Sequence, residues 1–174
     1  HSVIPDRIEA GTYMLAAAMV GGSVTLEPVI PQHIASLVAK LHEVGIGVNV
    51  DGDRITLESQ GRYKTTNFQS LPYPGFPTDL LPQVMTMMTT ADGISVVKET
   101  IYSNRYKHVS ELRRMGANII IADRTAVVQG IPHLVGAEVV VSDLRAGAAL
   151  VVAGLAAYGV TTIQDSGHLS RGYD

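Results

Sequence analysis

Three short segments place a carboxylate where an apolar run begins, and two of them add a cation: Pro5-Asp6-Arg7, Pro77-Thr78-Asp79 and Asp143-Leu144-Arg145. A carboxylate within hydrogen-bond reach of a hydroxyl can take its proton, and guanidinium groups hold carboxylate or phosphate oxygens through paired N–H donors. Two further arginines, Arg105 in Tyr102-Ser103-Asn104-Arg105 and Arg171 in Leu169-Ser170-Arg171-Gly172-Tyr173, occupy corresponding places in successive stretches of the chain. Brought together by a fold, these groups would ring an anion. Each also has a plainer reading. Ser, Thr and Asp at helix starts satisfy orphan backbone N–H groups, and a lone arginine is ordinarily a solvated surface residue. Arg145 fits the plain reading badly, because a cation in the first turn opposes the helix dipole and forgoes about half a kcal/mol. An anion is expected beside it, either Asp143 or a ligand.

The elements that must position these residues form a repeat. Residues 9–61 read as an apolar helix (about 9–20), a strand (23–26), an amphipathic helix (about 32–44) and a hairpin (46–50 with 54–58) turning at Asp51-Gly52-Asp53. Residues 78–130 give the same order: an apolar helix (about 79–90), a strand (94–99), an amphipathic helix (106–115) and a hairpin (118–121 with 125–129). Gly22 with Gly93, Gly45 with Gly116 and Gly61 with Gly130 recur at a spacing of about 70 residues, the mark of a duplicated supersecondary unit. A third unit opens at Gly136 with a strand (137–141), an apolar helix (about 144–157) and a strand (160–164), and lacks the second helix and hairpin. The first unit lacks the opening strand that 63–69 and 137–141 provide in the others. The expectation is one domain over residues 1–174, incomplete at both ends and belonging to a longer polypeptide.

A helix apolar on every face must be buried, whereas an amphipathic one covers a surface. The runs 13–20, 84–88 and 146–157 are of the first kind; 33–43 and 107–114 carry their charges on one side. The predicted class is therefore α/β, barrel-like, with three buried helices wrapped by sheets and outer helices about a pseudo-three-fold axis. The N-termini of the three buried helices then share one end, where their free N–H groups would favour an anion.

Composition narrows the chemistry. The 174 residues are 46% hydrophobic and 17% charged, with a formal net charge of -3 and no cysteine. A basic footprint for nucleic acid or anionic lipid is absent, and so is any thiol nucleophile, thiolate metal site or disulfide. His33, His42, His108 and His133 read as surface or packing residues, with no pair at metal-ligand spacing. The uncharged stretch 146–164 approaches the length of a membrane span, but Gly154, Tyr158, Gly159, Thr161 and Thr162 divide it into helix, turn and strand. No signal peptide is legible, His1-Ser2 looks like tag residue, and a cytoplasmic location is expected.

The segments 3–12, 74–79, 99–105, 111–117, 125–130, 143–146 and 168–173, among them Pro77-Thr78-Asp79, Glu99-Thr100-Ile101-Tyr102-Ser103-Asn104-Arg105, Asp143-Leu144-Arg145-Ala146 and His168-Leu169-Ser170-Arg171-Gly172-Tyr173, resemble those of the UDP-N-acetylglucosamine 1-carboxyvinyltransferases, within the enolpyruvyl transferase family. They follow the family's order and spacing from end to end. The resemblance implies one of two inside-out α/β domains, each with internal three-fold pseudosymmetry; the other domain would bring a reactive cysteine or its aspartate replacement, a lysine and further arginines.

The resemblance also implies transfer of the enolpyruvyl group of phosphoenolpyruvate to the 3-hydroxyl of UDP-N-acetylglucosamine, with release of phosphate and without cofactor or metal. Asp79 matches the proposed base at the sugar hydroxyl, and Ile101 a position whose backbone holds the nucleotide sugar. Asp143 matches a carboxylate proposed for proton transfer, and Arg105, Arg145 and Arg171 match arginines around the carboxylate and phosphate of phosphoenolpyruvate. Ser103 stands where the family usually has an acid, Gly147 where it has serine and Ser170 where it has aspartate. Two other readings stay open: the sister enzyme acting on shikimate phosphate, which has a different pattern at these helix starts, and a non-catalytic nucleotide-sugar-binding homologue.

Overall fold

A computed structural model describes residues 1–173. The first unit runs α1 (Arg7–Val20), β1 (Gly22–Leu26), a 3-10 turn (Pro31–Ile34) leading into α2 (Ala35–Glu43), then β2 (Gly47–Asp51) and β3 (Arg54–Ser59). The second runs β4 (Phe68–Gln69), a 3-10 turn (Thr78–Leu80) leading into α3 (Leu81–Met88), β5 (Ile94–Lys98), α4 (Val109–Arg114), β6 (Asn118–Ala122) and β7 (Thr125–Gln129). The third holds β8 (Glu138–Val140), α5 (Leu144–Ala156), β9 (Thr162–Gln164) and a 3-10 turn (Leu169–Arg171).

The sheets reveal the duplication. β1-β3-β2 and β5-β7-β6 have the same antiparallel order, and β4 joins β5 in parallel as β8 joins β9. Among the described residues the first sheet therefore has no counterpart of β4, and the third none of β6 and β7. Two of the three glycine pairs agree in conformation: Gly22 and Gly93 have φ of 110° and 122°, and Gly45 and Gly116 have φ of 93° and 94°, in the left-handed region that favours glycine at each outer-helix C-terminus. In the third pair Gly61 has φ of 69°, whereas Gly130 has no positive φ.

The three apolar helices pack each against both others. Burial is complete only for α3: α1 leaves Tyr13 and Val20 exposed and α5 leaves Leu155 exposed, against the expectation of burial on every face. All eight residues of α3 are buried, as are Met14, Leu15 and Ala18 of α1 and Ala149, Leu150 and Ala153 of α5. Small residues on α1 and α5 let the helices approach closely; Gly11 sits against Leu80 with no room for a Cβ. The outer helices turn Leu37 and Leu41, or Val109 and Leu112, inward and leave Arg113 and Arg114 exposed.

Two elements differ from the expectation. The opening strand expected over 63–69 exists only as a bridge at Lys64 and the two residues of β4. Between them the side-chain carbonyl of Asn67 accepts from the Val96 amide at 2.8 Å, replacing a backbone partner and breaking the ladder. The outer helix expected over 106–115 begins only at Val109. Residues 103–108 run as turns, with the Tyr106 hydroxyl reaching the carbonyls of Val97 and Arg124 at 3.0 and 2.8 Å.

Candidate active site

Two of the three buried helices are capped by their own carboxylates. Asp6 accepts from the Ile8 amide at 2.7 Å, and Asp143 Oδ1 accepts from the amides of Arg145 and Ala146 at 3.0 and 2.9 Å. The amides of Arg145 and Ala146 are thus taken by Asp143, and the Ile8 amide by Asp6, so these groups do not form the expected site of free helix amides. Among the described residues the α3 start has no side-chain cap. Thr78 and Asp79, released from capping, face other groups.

Asp79 joins the arginines. Its Oδ1 accepts from Arg105 Nη2 at 2.7 Å and its Oδ2 from Arg145 Nη2 at 3.0 Å. The side-chain carboxylate beside the Arg145 guanidinium is thus Asp79, from the neighbouring repeat, rather than Asp143. Arg145 links both sequence-selected carboxylates, its amide donating to Asp143 and its guanidinium to Asp79. Asp143 Oδ2 lies outside the capping bonds. The side chains of Arg105, Arg145 and Asp79 are 12%, 18% and 35% exposed, which leaves donors and a carboxylate edge reachable from one face.

Each guanidinium has a second support. Arg105 Nε donates to Thr78 Oγ1 at 3.1 Å, and its Cζ lies 4.6 Å from the Tyr102 ring centroid, within cation–π range. Arg145 Nη1 donates to the Tyr173 hydroxyl at 3.4 Å. That hydroxyl lies 3.0 Å from Thr12 Oγ1, whose proton is engaged by the Ile8 carbonyl at 2.8 Å. Tyr173 therefore donates to Thr12, and its oxygen stays free to accept from Arg145. Gln83 Nε2 donates to the same Thr12 oxygen at 3.1 Å.

Glu99 completes the site and was not singled out by sequence reasoning. It is 1% exposed. Its Oε1 accepts from Ser70 Oγ at 2.5 Å and from the amides of Ile101 and Tyr102 at 2.5 and 2.9 Å, and its Oε2 from Thr78 Oγ1 at 2.5 Å. Burial alone would push this carboxyl up; the bonds from Ser70, Thr78, Tyr102 and Ile101 together outweigh it and hold it below the ordinary range. A lone acid closing an apolar strand, followed by Thr100 and preceding Arg105 by six positions, was its only signal in the sequence. The Ile101 amide is engaged by Glu99, so the carbonyl is the backbone group this exposed residue has left to offer.

Arg171 stands apart. It is exposed, and among the described residues its guanidinium makes no ion pair. Among the described residues no group of three or more His, Asp or Glu side chains could hold a metal ion, and no helix is long and apolar enough to cross a membrane.

Three mutually packed helices inside a wrap of sheets and outer helices, with arginines and an aspartate gathered at the helix starts, define an inside-out α/β domain of the enolpyruvyl transferase class. The chain belongs to the EPSP synthase (3-phosphoshikimate 1-carboxyvinyltransferase) family, whose sequence profile it matches over residues 1–174. It is 55% identical over 173 residues to UDP-N-acetylglucosamine 1-carboxyvinyltransferase 1 of Caldanaerobacter subterraneus subsp. tengcongensis, covering 99% of this chain and 42% of that protein. A UDP-N-acetylglucosamine 1-carboxyvinyltransferase of Clostridium botulinum is 53% identical with the same coverage. The crystal structure of the enolpyruvyl transferase NikO from Streptomyces tendae superposes with a TM-score of 0.87 at 28% identity, over 99% of this chain and 41% of that one. EPSP synthase from Acinetobacter baumannii gives a TM-score of 0.70 at 16% identity over 100% of this chain and 44% of that one, a likeness of fold alone. The chain spans about two fifths of the length of the curated relatives it matches.

Proposed function

We propose that the chain is one domain of an enzyme that transfers the enolpyruvyl group of phosphoenolpyruvate to the 3-hydroxyl of UDP-N-acetylglucosamine. A C–O bond forms between that hydroxyl and the carbon bearing the phosphate, the bond from that carbon to the phosphate oxygen breaks, and phosphate leaves. The observation that carries the reading is Asp79 held between Arg105 and Arg145: a proton acceptor adjoins two fixed donors for an anion, as this reaction requires. Asp79 takes the hydroxyl proton, Arg105 and Arg145 hold the carboxylate and phosphate of the donor, and the Ile101 carbonyl contacts the nucleotide sugar. Asp143, with Oδ2 free of the cap, takes part in proton transfer. Arg171 joins the anion when the substrates are bound. Identity of 53–55% to UDP-N-acetylglucosamine enzymes favours that acceptor over shikimate phosphate.

The same reading places the chain in a longer polypeptide. Support comes from the unequal sheets: a strand parallel to β1 would complete the first and a hairpin beside β9 the third, by analogy with the second. A second domain supplies the remaining charges and closes over the site, which lies on an open face here; closure excludes water from the reacting groups. The activity would belong to the cytoplasmic stage of peptidoglycan synthesis.

The test is phosphate release from phosphoenolpyruvate by the full-length protein containing this chain, with UDP-N-acetylglucosamine or shikimate 3-phosphate as acceptor. Release with the nucleotide sugar alone is expected, and none from residues 1–174 alone. Release with shikimate phosphate would reassign the acceptor, and silence with both would leave a binding module.

A further inference from the structure

We infer that Glu99 is a positioning residue that sets the anion-binding geometry of Arg105 through the proton of Thr78; this rests on the transfer reaction proposed above. The argument is one of hydrogen-bond polarity. Glu99 is buried and held ionised, so both oxygens can only accept. Thr78 must therefore donate its single proton to Oε2, which leaves a lone pair of Thr78 Oγ1 to receive Arg105 Nε at 3.1 Å. Asp79, the next residue, takes Nη2 of the same guanidinium. The edge of Arg105 formed by Nε and Nη2 is thus fixed by two consecutive residues, and Nη1 remains for a ligand. Through Oε1 the same carboxylate fixes the amide of Tyr102, whose ring is the platform under Arg105. One buried acid holds the guanidinium along its edge and under its face.

Glu99→Gln isolates this polarity. Its amide oxygen must stay toward Ser70 and the amides of Ile101 and Tyr102, because three donors converge there. The new NH2 then points at Thr78, whose proton can no longer lie there and is free to take either remaining direction on Oγ1, so the lone pair that Glu99 held toward Arg105 Nε is no longer fixed. The loop that carries Ile101 keeps its anchors. The effect should fall on the anionic substrate and spare the nucleotide sugar.

In the full-length protein, Glu99→Gln and Thr78→Val are each expected to raise KM for phosphoenolpyruvate by about tenfold, the scale of one lost charge-assisted bond, with KM for UDP-N-acetylglucosamine within about twofold of wild type. The double variant is expected to be no worse than either single one, and Thr78→Ser, which retains the hydroxyl, to behave as wild type. Equal rises in both KM values, additive losses in the double variant, or a Thr78→Ser as impaired as Thr78→Val would overturn the relay. Binding of inorganic phosphate to the same proteins, followed by phosphorus NMR, needs no turnover. Weaker phosphate binding in Glu99→Gln, in a wild type that transfers no enolpyruvyl group, would keep the relay and discard the reaction. Unchanged phosphate binding in that variant would discard the relay whatever the activity.

Discussion

Asp79 and Arg145 are 66 residues apart in sequence and meet at 3.0 Å, Oδ2 to Nη2, at the starts of two buried helices. The pair explains why a cation is tolerated in the first turn of α5: a carboxylate from the adjacent repeat neutralises it at one nitrogen, while the Tyr173 oxygen takes the other.

Lysine should not replace arginine here. A lysine ammonium is a point charge and cannot span Asp79 and Tyr173 as the planar fork does. Arg145→Lys is expected to raise KM for phosphoenolpyruvate by at least about tenfold with a folded protein by circular dichroism. A near-wild-type KM would show that charge alone suffices.

Removing the Tyr173 hydroxyl should loosen a buried network as well as the arginine. Thr12 and Gln83 are 9% and 0% exposed and share that oxygen's neighbourhood. Tyr173→Phe is expected to cost about 1–3 kcal/mol, the range for a buried hydrogen-bond partner removed, read as a lower urea midpoint at unchanged slope.

His108 couples stability to pH. It is completely buried, and among the described residues neither ring nitrogen has a hydrogen-bond partner. Burial pushes its imidazole down to about 4 from an ordinary 6.5, against a smaller upward pull from Asp143. The folded value lies below the unfolded one, so the stabilisation is complete above 6.5 and is lost as pH falls through 4. The shift corresponds to about 3 kcal/mol. Between pH 7 and pH 4 the wild type should lose about 3 kcal/mol more unfolding free energy than His108→Leu; an equal loss in both would show that His108 does not titrate with unfolding.

Two glycines separate lack of space from backbone conformation. A Cβ at Gly130 would lie 1.7 Å from the Ala91 carbonyl oxygen, whereas one at Gly45 would meet nothing within 4 Å despite its φ of +93°. Gly130→Ala is expected to lose more than about 4 kcal/mol or fail to fold, and Gly45→Ala to lose about 1–2 kcal/mol. Melting temperatures of the two variants check the order.

The parts legible in the sequence were those governed by periodicity. Apolar helices were expected to form the interior and pack against one another there, and glycines recurring at about 70 residues announced a duplicated unit whose sheets have the same strand order. Side-chain substitutions for backbone were not legible: Asn67 breaks the expected strand by taking the Val96 amide on its side chain, and the turns at 103–108 delay α4. The site was half legible. Asp79, Arg105 and Arg145 were selected individually, but the nearest carboxylate to Arg145 in sequence is Asp143, and only helix packing brings Asp79 to its guanidinium. Glu99 escaped because one acid at the end of an apolar strand looks like the strand's edge, and its burial depends on Ser70 and Thr78 arriving from elsewhere. Arg171, selected with the other arginines, is exposed and makes no ion pair among the described residues.

The central claim is that the Asp79 carboxylate, oriented by Arg105 and Arg145, accepts the proton of the attacking hydroxyl. Phosphate release by Asp79→Ala in the full-length protein, at saturating phosphoenolpyruvate and UDP-N-acetylglucosamine, tests it most directly. The account predicts that kcat falls at least about a hundredfold, the low end for a lost general base; a kcat within a few-fold of wild type would leave Asp79 as an organiser of arginines and contradict the mechanism.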